Sequence, residues 1–141
     1  MVADARTGYG YEPRAAVAPR SSASHQAFQV LRFTFAVAPI VAGLDKFFNL
    51  LTNWGRYLSA EYAALSPFNV ATTMYLVGIV EIVAGAIVAF KPRIGAWLVA
   101  AWLAGIIVNL ALHGGYWDIA WRDVGLMLSA VALGLLARRH R

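Results

Sequence analysis

Four long apolar segments constrain the fold of this chain more than any other feature. They cover about residues 28–51, 70–90, 94–112 and 119–137. Each is close to the ~20 residues that a helix needs to cross ~30 Å of hydrocarbon. Backbone N–H and C=O groups cannot stay unpaired in lipid, and the alternating pattern of a β-barrel is not visible. The segments therefore predict an all-α membrane protein, a bundle of four transmembrane helices.

The composition excludes the usual soluble classes. Of the 141 residues, 60% are hydrophobic and 13% are charged, whereas a soluble domain is roughly 45–50% apolar and about 25% charged. A chain this short cannot bury so much apolar surface in one core. A soluble enzyme, a disordered chain and a nucleic-acid-binding protein are excluded, and membrane lipids are the first expected partners. The absence of cysteine excludes disulfides and thiolate metal sites.

The distribution of basic residues predicts the orientation in the membrane. The side that would hold both termini and the 91–93 turn carries eight Lys or Arg residues, and the opposite side carries three. This asymmetry indicates that both termini are cytoplasmic and that the protein is multi-pass in the inner (cytoplasmic) membrane. Residues 1–27 are polar and have no apolar signal-peptide core, so they are expected to form a mobile tail. Residues 138–141 form a basic C-terminal tail.

The stretch between the first two spans predicts an additional short helix. Four apolar or aromatic residues fall there on one helical stripe: Trp54, Leu58, Tyr62 and Leu65. Such a pattern is typical of an amphipathic helix that lies in the membrane interface; the alternative is an irregular loop. This stripe is the candidate interface for a partner subunit.

Charged side chains at membrane depth are costly and therefore identify candidate sites. Asp45 and Lys46 lie near the end of the first span, and Arg122 and Asp123 lie at a similar depth in the antiparallel fourth span. Consecutive helical residues point about 100° apart, so pairing within each dipeptide is not expected. The expected pairs are Asp45 with Arg122 and Lys46 with Asp123.

Glu81 is the deepest ionisable residue. Gly78 and Gly85 lie on the same face of its helix, and small residues there let a second helix approach closely and enclose the carboxylate. Lys46 or Arg32 could provide the counter-charge. Two interpretations remain open: a structural buried ion pair, which is favoured, and a proton-relay carboxylate. The predicted buried polar network comprises Arg32, Asp45, Lys46, Glu81 and Asp123.

A second group of polar residues predicts a small-ligand pocket near the outer surface. Asn109 and His113 are four residues apart and share one face of the third span. Together with nearby charges and aromatic rings they could hold a quinone head group or a lipid, with His113 or Arg122 bonded to a carbonyl oxygen. The candidate ligand residues are Asn109, His113, Trp117, Trp121 and Arg122. The alternative is a purely structural network. The three histidines lie too far apart for a haem or metal site, and no catalytic residue is predicted.

Several short motifs resemble those of the DoxX-like family of small four-helix membrane proteins. They span residues 28–136 and comprise Arg32, Gly43-Leu44-Asp45-Lys46-Phe47, the run Gly78 to Gly85 around Glu81, Lys91-Pro92-Arg93 and His113-Gly114-Gly115. The resemblance implies a four-helix bundle linked to redox proteins, some relatives being small subunits of thiosulfate:quinone oxidoreductase or terminal oxidase assemblies. Arg32, Lys46 and Glu81 match the polar signature of the family.

The leading functional expectation is a non-catalytic subunit that anchors or stabilises a larger membrane redox complex. It would have no redox centre of its own, and its partners would be other membrane subunits or a second copy. A quinone-binding oxidoreductase subunit is the first alternative, and a small transporter that uses Glu81 is the second. The sequence does not decide whether the chain is an enzyme.

Overall fold

The structure, a computed structural model that describes residues 22–140, is helical and contains no strand in that range. The elements are α1 (Ala23–Phe48), a 3-10 helix (Trp54–Tyr57), α2 (Ala60–Leu65), α3 (Val70–Phe90), α4 (Pro92–His113) and α5 (Trp117–Leu136). Helices α1, α3, α4 and α5 are each long and apolar enough to cross a membrane. The prediction of a multi-pass, four-helix membrane fold is confirmed.

Helix α1 is shifted toward the N-terminus relative to the predicted span. The side chain of Ser22 accepts a hydrogen bond from the N–H of His25, and this cap starts the helix five residues before the predicted position. At the other end Asn49 adopts a left-handed conformation with φ 50°, which ends α1 at Phe48 instead of residue 51. Residues 23–27, which the sequence assigned to the mobile tail, are therefore part of α1, and residues 1–21 of that tail lie outside the described range.

The other spans agree closely with the sequence pattern. Helix α3 has the predicted bounds, and α4 and α5 each start two residues before their predicted first residue. Lys91 alone separates α3 from α4, with Pro92 in the first turn of α4, where its missing N–H costs no hydrogen bond. Gly114 has φ 77° and ends α4, in the left-handed conformation that is typical of glycine after a helix C-terminus.

The bundle consists of two tightly packed helix pairs, α1 with α3 and α4 with α5. Glycines set the distance within the first pair. A Cβ atom added to Gly43 would lie 2.5 Å from the backbone oxygen of Gly78, and one added to Gly78 would lie 2.6 Å from the oxygen of Gly43. The prediction that small residues around Glu81 admit a neighbouring helix is confirmed, and that helix is α1.

The hydrophobic core lies in the half of the bundle where α1 begins and α5 ends. Buried residues from all four spans meet there, among them Phe28, Val88, Ala96, Ala130 and Leu133. A hydrogen bond of 3.2 Å between Ser24 and His140 joins the start of α1 to the end of the chain. Below, this half is called the terminal end, and the half with the 3-10 helix and α2 is called the distal end.

The predicted interfacial helix is instead two short helical pieces. Leu58 and Ser59 have extended backbone between the 3-10 helix and α2, so the stripe does not lie on one continuous helix. Residues 49–65, called here the strap, run across the distal end of the bundle.

Candidate functional site

A cavity of about 380 Å³ lies between the two helix pairs. All four spans and the strap contribute to its lining. Close-packed protein interiors hold few voids larger than a water molecule, and ligand pockets are typically ~300–1,000 Å³. The cavity therefore has the size of a small-molecule site, and it is the candidate functional site.

The cavity is closed toward the terminal end by the hydrophobic core. Phe35, Ala84 and Val99 belong both to the core cluster and to the cavity wall. Pro39, one turn beyond Phe35, also lines the cavity. Proline has no N–H, so the carbonyl oxygen of Phe35 has no helical donor at that point.

The strap covers the distal end of the cavity and is held to α4. The Asn109 side chain accepts a hydrogen bond from the N–H of Ser59 at 2.9 Å and donates one to the backbone oxygen of Tyr57 at 2.8 Å. Ser59 is fully buried. In addition, the Tyr62 hydroxyl donates to the backbone oxygen of Gly105 at 3.1 Å. Asn109 thus acts as a clamp that fixes the strap over the cavity.

Asp45 fastens the other end of the strap to α1. Its carboxylate accepts hydrogen bonds from the N–H groups of Leu50 and Leu51 at 3.0–3.3 Å and from the indole N–H of Trp54 at 2.8 Å. The residue is buried, with 7% of its surface exposed. The expected pairing of Asp45 with Arg122 is wrong, because the backbone donors of the turn that follows α1 are closer.

Lys46 and Glu81 form a buried ion pair in the cavity wall. The Lys46 Nζ atom lies 2.6 Å from the Glu81 Oε2 atom, and the two side chains are 5% and 10% exposed. The ammonium group also lies 3.8 Å from the centre of the Trp54 ring, a cation–π contact. Of the two cations that the sequence offered as the counter-charge of Glu81, Lys46 and Arg32, the structure selects Lys46. The expected pair of Lys46 with Asp123 is wrong.

Asp123 is neutralised by its chain neighbour. Both Nε and an Nη atom of Arg122 donate to the Asp123 Oδ1 atom, at 3.1 and 3.0 Å. The long arginine side chain folds back along α5, a geometry that the 100° angle between consecutive residues does not prevent. Two cations and two anions therefore line the cavity, and each is paired.

Among the described residues, the indole Nε1 of Trp102 is the one buried side-chain polar atom without a hydrogen-bond partner of normal geometry. This N–H lies in the cavity wall near the Glu81 carboxylate. Sequence reasoning missed this residue. Trp102 precedes Asn109 by seven positions, two helical turns, and that spacing could have placed both on one face of α4.

Arg32, the remaining member of the predicted network, lies outside the cavity. Its guanidinium donates through two nitrogen atoms to the backbone oxygen of Ala89, in the last turn of α3. It does not pair with Glu81. A cation at a helix C-terminus is favourable because the last carbonyl groups of a helix lack intrahelical donors.

The predicted outer ligand pocket does not form. Of its five residues, Asn109 and Arg122 reach the cavity, whereas His113 is exposed and packs on Tyr116. Trp117 and Trp121 are 62% and 78% exposed. Helix α5 turns Ala120, Asp123 and Ala130 inward, and this rotation points both tryptophans away from the bundle.

The predicted partner stripe is also not a single surface. Trp54 and Leu58 line the cavity, and Tyr62 is bonded to α4, so these three residues pack against the bundle. Leu65 is 81% exposed. The break at Leu58 and Ser59 rotates α2 relative to the 3-10 helix and separates the four residues.

Comparison of the chain with protein-family models, curated proteins and solved structures found no match. Within residues 22–140, no group of three or more His, Asp or Glu side chains is arranged to hold a metal ion. What defines the site is its geometry: a membrane-embedded cavity with apolar walls, paired charges and one indole N–H, that of Trp102, which makes no hydrogen bond of normal geometry.

Proposed function

We propose that this chain is a membrane-embedded binding protein or subunit for a neutral amphiphile, and that a quinone is the best candidate ligand. The observation that carries this proposal is the cavity of about 380 Å³ between the helix pairs. Four-helix bundles commonly build ligand sites from side chains of facing helices.

The chemistry of the cavity wall favours a neutral molecule that accepts hydrogen bonds. Both ion pairs in the wall are internally compensated, so the cavity carries no net charge. An ionic ligand would compete with the partners in these pairs, and leaving the buried charge of Lys46 or Glu81 unpaired is costly. The indole N–H of Trp102, which makes no hydrogen bond of normal geometry within the bundle, is a donor for which a quinone carbonyl oxygen is a suitable acceptor.

The proposal is tested with Trp102→Phe, which removes the N–H and keeps an aromatic ring. A decyl-substituted benzoquinone is titrated into the detergent-purified protein, and quenching of tryptophan fluorescence reports binding. Trp54 also lines the cavity and continues to report in the variant. Loss of one hydrogen bond is expected to weaken binding by about threefold to tenfold.

Trp97→Phe is the matched control, because Trp97 lies on the same helix but packs against Gly134 outside the cavity. This variant should bind the quinone as the unchanged protein does. Absence of saturable quenching in the unchanged protein, or equal effects of the two substitutions, would contradict the proposal.

The orientation of the chain and its wider assembly are proposed on different grounds. Helix α1 begins and α5 ends at the same end of the bundle, and the excess of basic residues on that side supports a cytoplasmic location for both termini. A role as an anchoring subunit of a redox complex is compatible with ligand binding. The inward-facing strap, however, offers no support for the predicted partner surface.

A further inference from the structure

The cavity opens sideways, between α1 and α5. Most of its lining residues are buried or half-buried, and four are exposed. Two of these, Thr34 and Ala38, lie on α1, and the other two, Arg122 and Leu126, lie on α5. Since the strap covers the distal end and the core fills the terminal end, this gap leads to the surface that faces lipid.

The packing of the bundle explains the gap. Helices α1 and α5 belong to different tight pairs and have few residues in contact with each other. The chain end beyond α5 meets α1 through Phe28, whose ring stacks on His140 at a centroid distance of 5.3 Å. The two helices are therefore tied at the terminal end and separated further along the bundle.

An apolar groove of about 410 Å³ on the outer face of α1 continues from this gap. The groove and the cavity share three lining residues, Thr34, Ala38 and Ala42, which follow one another at intervals of four along α1. The Thr34 hydroxyl donates to the backbone oxygen of Val30 at 2.9 Å, so it is already satisfied. The other groove residues are exposed and apolar: Phe33, Val37, Val41 and Leu51.

We propose that the ligand of the cavity is an amphiphile with one linear apolar tail, which reaches the cavity laterally from the bilayer. The head group occupies the cavity, and the tail crosses the small residues Thr34, Ala38 and Ala42 into the groove on α1. This inference rests on the proposed function. The head group is assigned to the cavity because the paired polar groups lie there. The tail is assigned to the path outward because that path is apolar and bordered by small side chains. A molecule on this path never has to expose its tail to water.

The test compares two benzoquinones that differ only in carrying a decyl or a methyl substituent. Ala38→Phe fills the lateral opening, and Ala101→Phe, an exposed position on α4 outside both the cavity and the groove, is the control. Ala38→Phe is expected to weaken binding of the decyl compound by about tenfold or more, because the phenyl ring occupies the space that the tail needs. Binding of the methyl compound, which has no tail to pass the opening, should be weakened clearly less than binding of the decyl compound.

A smaller substitution keeps the proposal testable if Ala38→Phe does not fold. The chain has no cysteine, so Ala38→Cys introduces a single thiol. The decyl compound is expected to slow modification of this thiol by a membrane-soluble maleimide, whereas the methyl compound is not. Ala101→Cys should be modified at the same rate with and without either compound.

The outcomes separate the two proposals. If the unchanged protein binds neither quinone, the proposed function fails. If it binds quinone but Ala38→Phe affects both compounds equally, or the decyl compound does not protect the thiol of the Ala38→Cys variant, the lateral tail path is wrong and the cavity site stands.

Discussion

The contact between α1 and α3 allows a quantitative prediction. Gly43→Ala and Gly78→Ala each place a Cβ atom 2.5–2.6 Å from a backbone oxygen of the opposite helix. Ordinary contact begins near 3.4 Å, so the helices must separate by about 0.8 Å. Because the obstacle is backbone, the upper part of the ~1–3 kcal/mol range for overpacking applies. Alanine is about 1 kcal/mol more favourable than glycine in a helix. The expected net loss of unfolding free energy is therefore ~2 kcal/mol for either variant.

The two contacts are reciprocal, and this makes the prediction sharper. A separation that accommodates one Cβ atom also accommodates the other, whereas each alanine adds its own gain of about 1 kcal/mol in helix propensity. The double variant Gly43→Ala with Gly78→Ala should therefore cost only ~1 kcal/mol, less than either single substitution and well below their sum. The assay is equilibrium unfolding in mixed detergent micelles, followed by circular dichroism. Gly105→Ala is the control, since a Cβ atom there meets no atom within 4 Å, and it should be neutral or stabilising by up to ~1 kcal/mol. If Gly43→Ala behaves like Gly105→Ala, or the double variant is additive, the close approach of α1 and α3 is not what stabilises this pair.

Two further predictions concern the polar groups of the site. Lys46→Met alone should lower the unfolding free energy by ~3–5 kcal/mol, because it leaves Glu81 buried and unpaired. Adding Glu81→Met should recover most of that loss. A double variant that is no more stable than Lys46→Met would contradict this. Asn109→Leu should raise amide hydrogen exchange in the strap by about tenfold, because the Ser59 N–H and the Tyr57 oxygen lose their partners. Unchanged exchange would show that the clamp does not hold the strap.

The fold was largely predictable because membrane helices are specified by local properties. A run of about 20 apolar residues must satisfy its backbone internally, wherever the other spans lie. For that reason the bounds of α3 agree with the sequence pattern, and α4 and α5 each start two residues from their predicted first residue. The start of α1 differs because its cap, Ser22, lies in a polar stretch that hydropathy alone does not assign to a helix.

The candidate site was less predictable because it depends on helix rotation and on interactions between distant residues. The depth of a residue along the membrane follows from its number, and depth limited the counter-charge of Glu81 to Lys46 or Arg32, of which Lys46 is the partner. The direction in which a side chain points does not follow from the residue number. Trp117 and Trp121 were predicted to surround a pocket, but they face outward. Trp102, which lies in an apolar run without any distinguishing motif, faces the cavity.

The sequence by itself determined a four-helix membrane protein with a buried carboxylate, because hydrophobic length and the cost of unpaired charge act locally. Only the tertiary structure decided which helices form close pairs, that the strap is clamped by Asn109, and that a cavity opens between α1 and α5. These features arise from how side chains of different helices fill the space between them, and that packing is a property of the whole bundle.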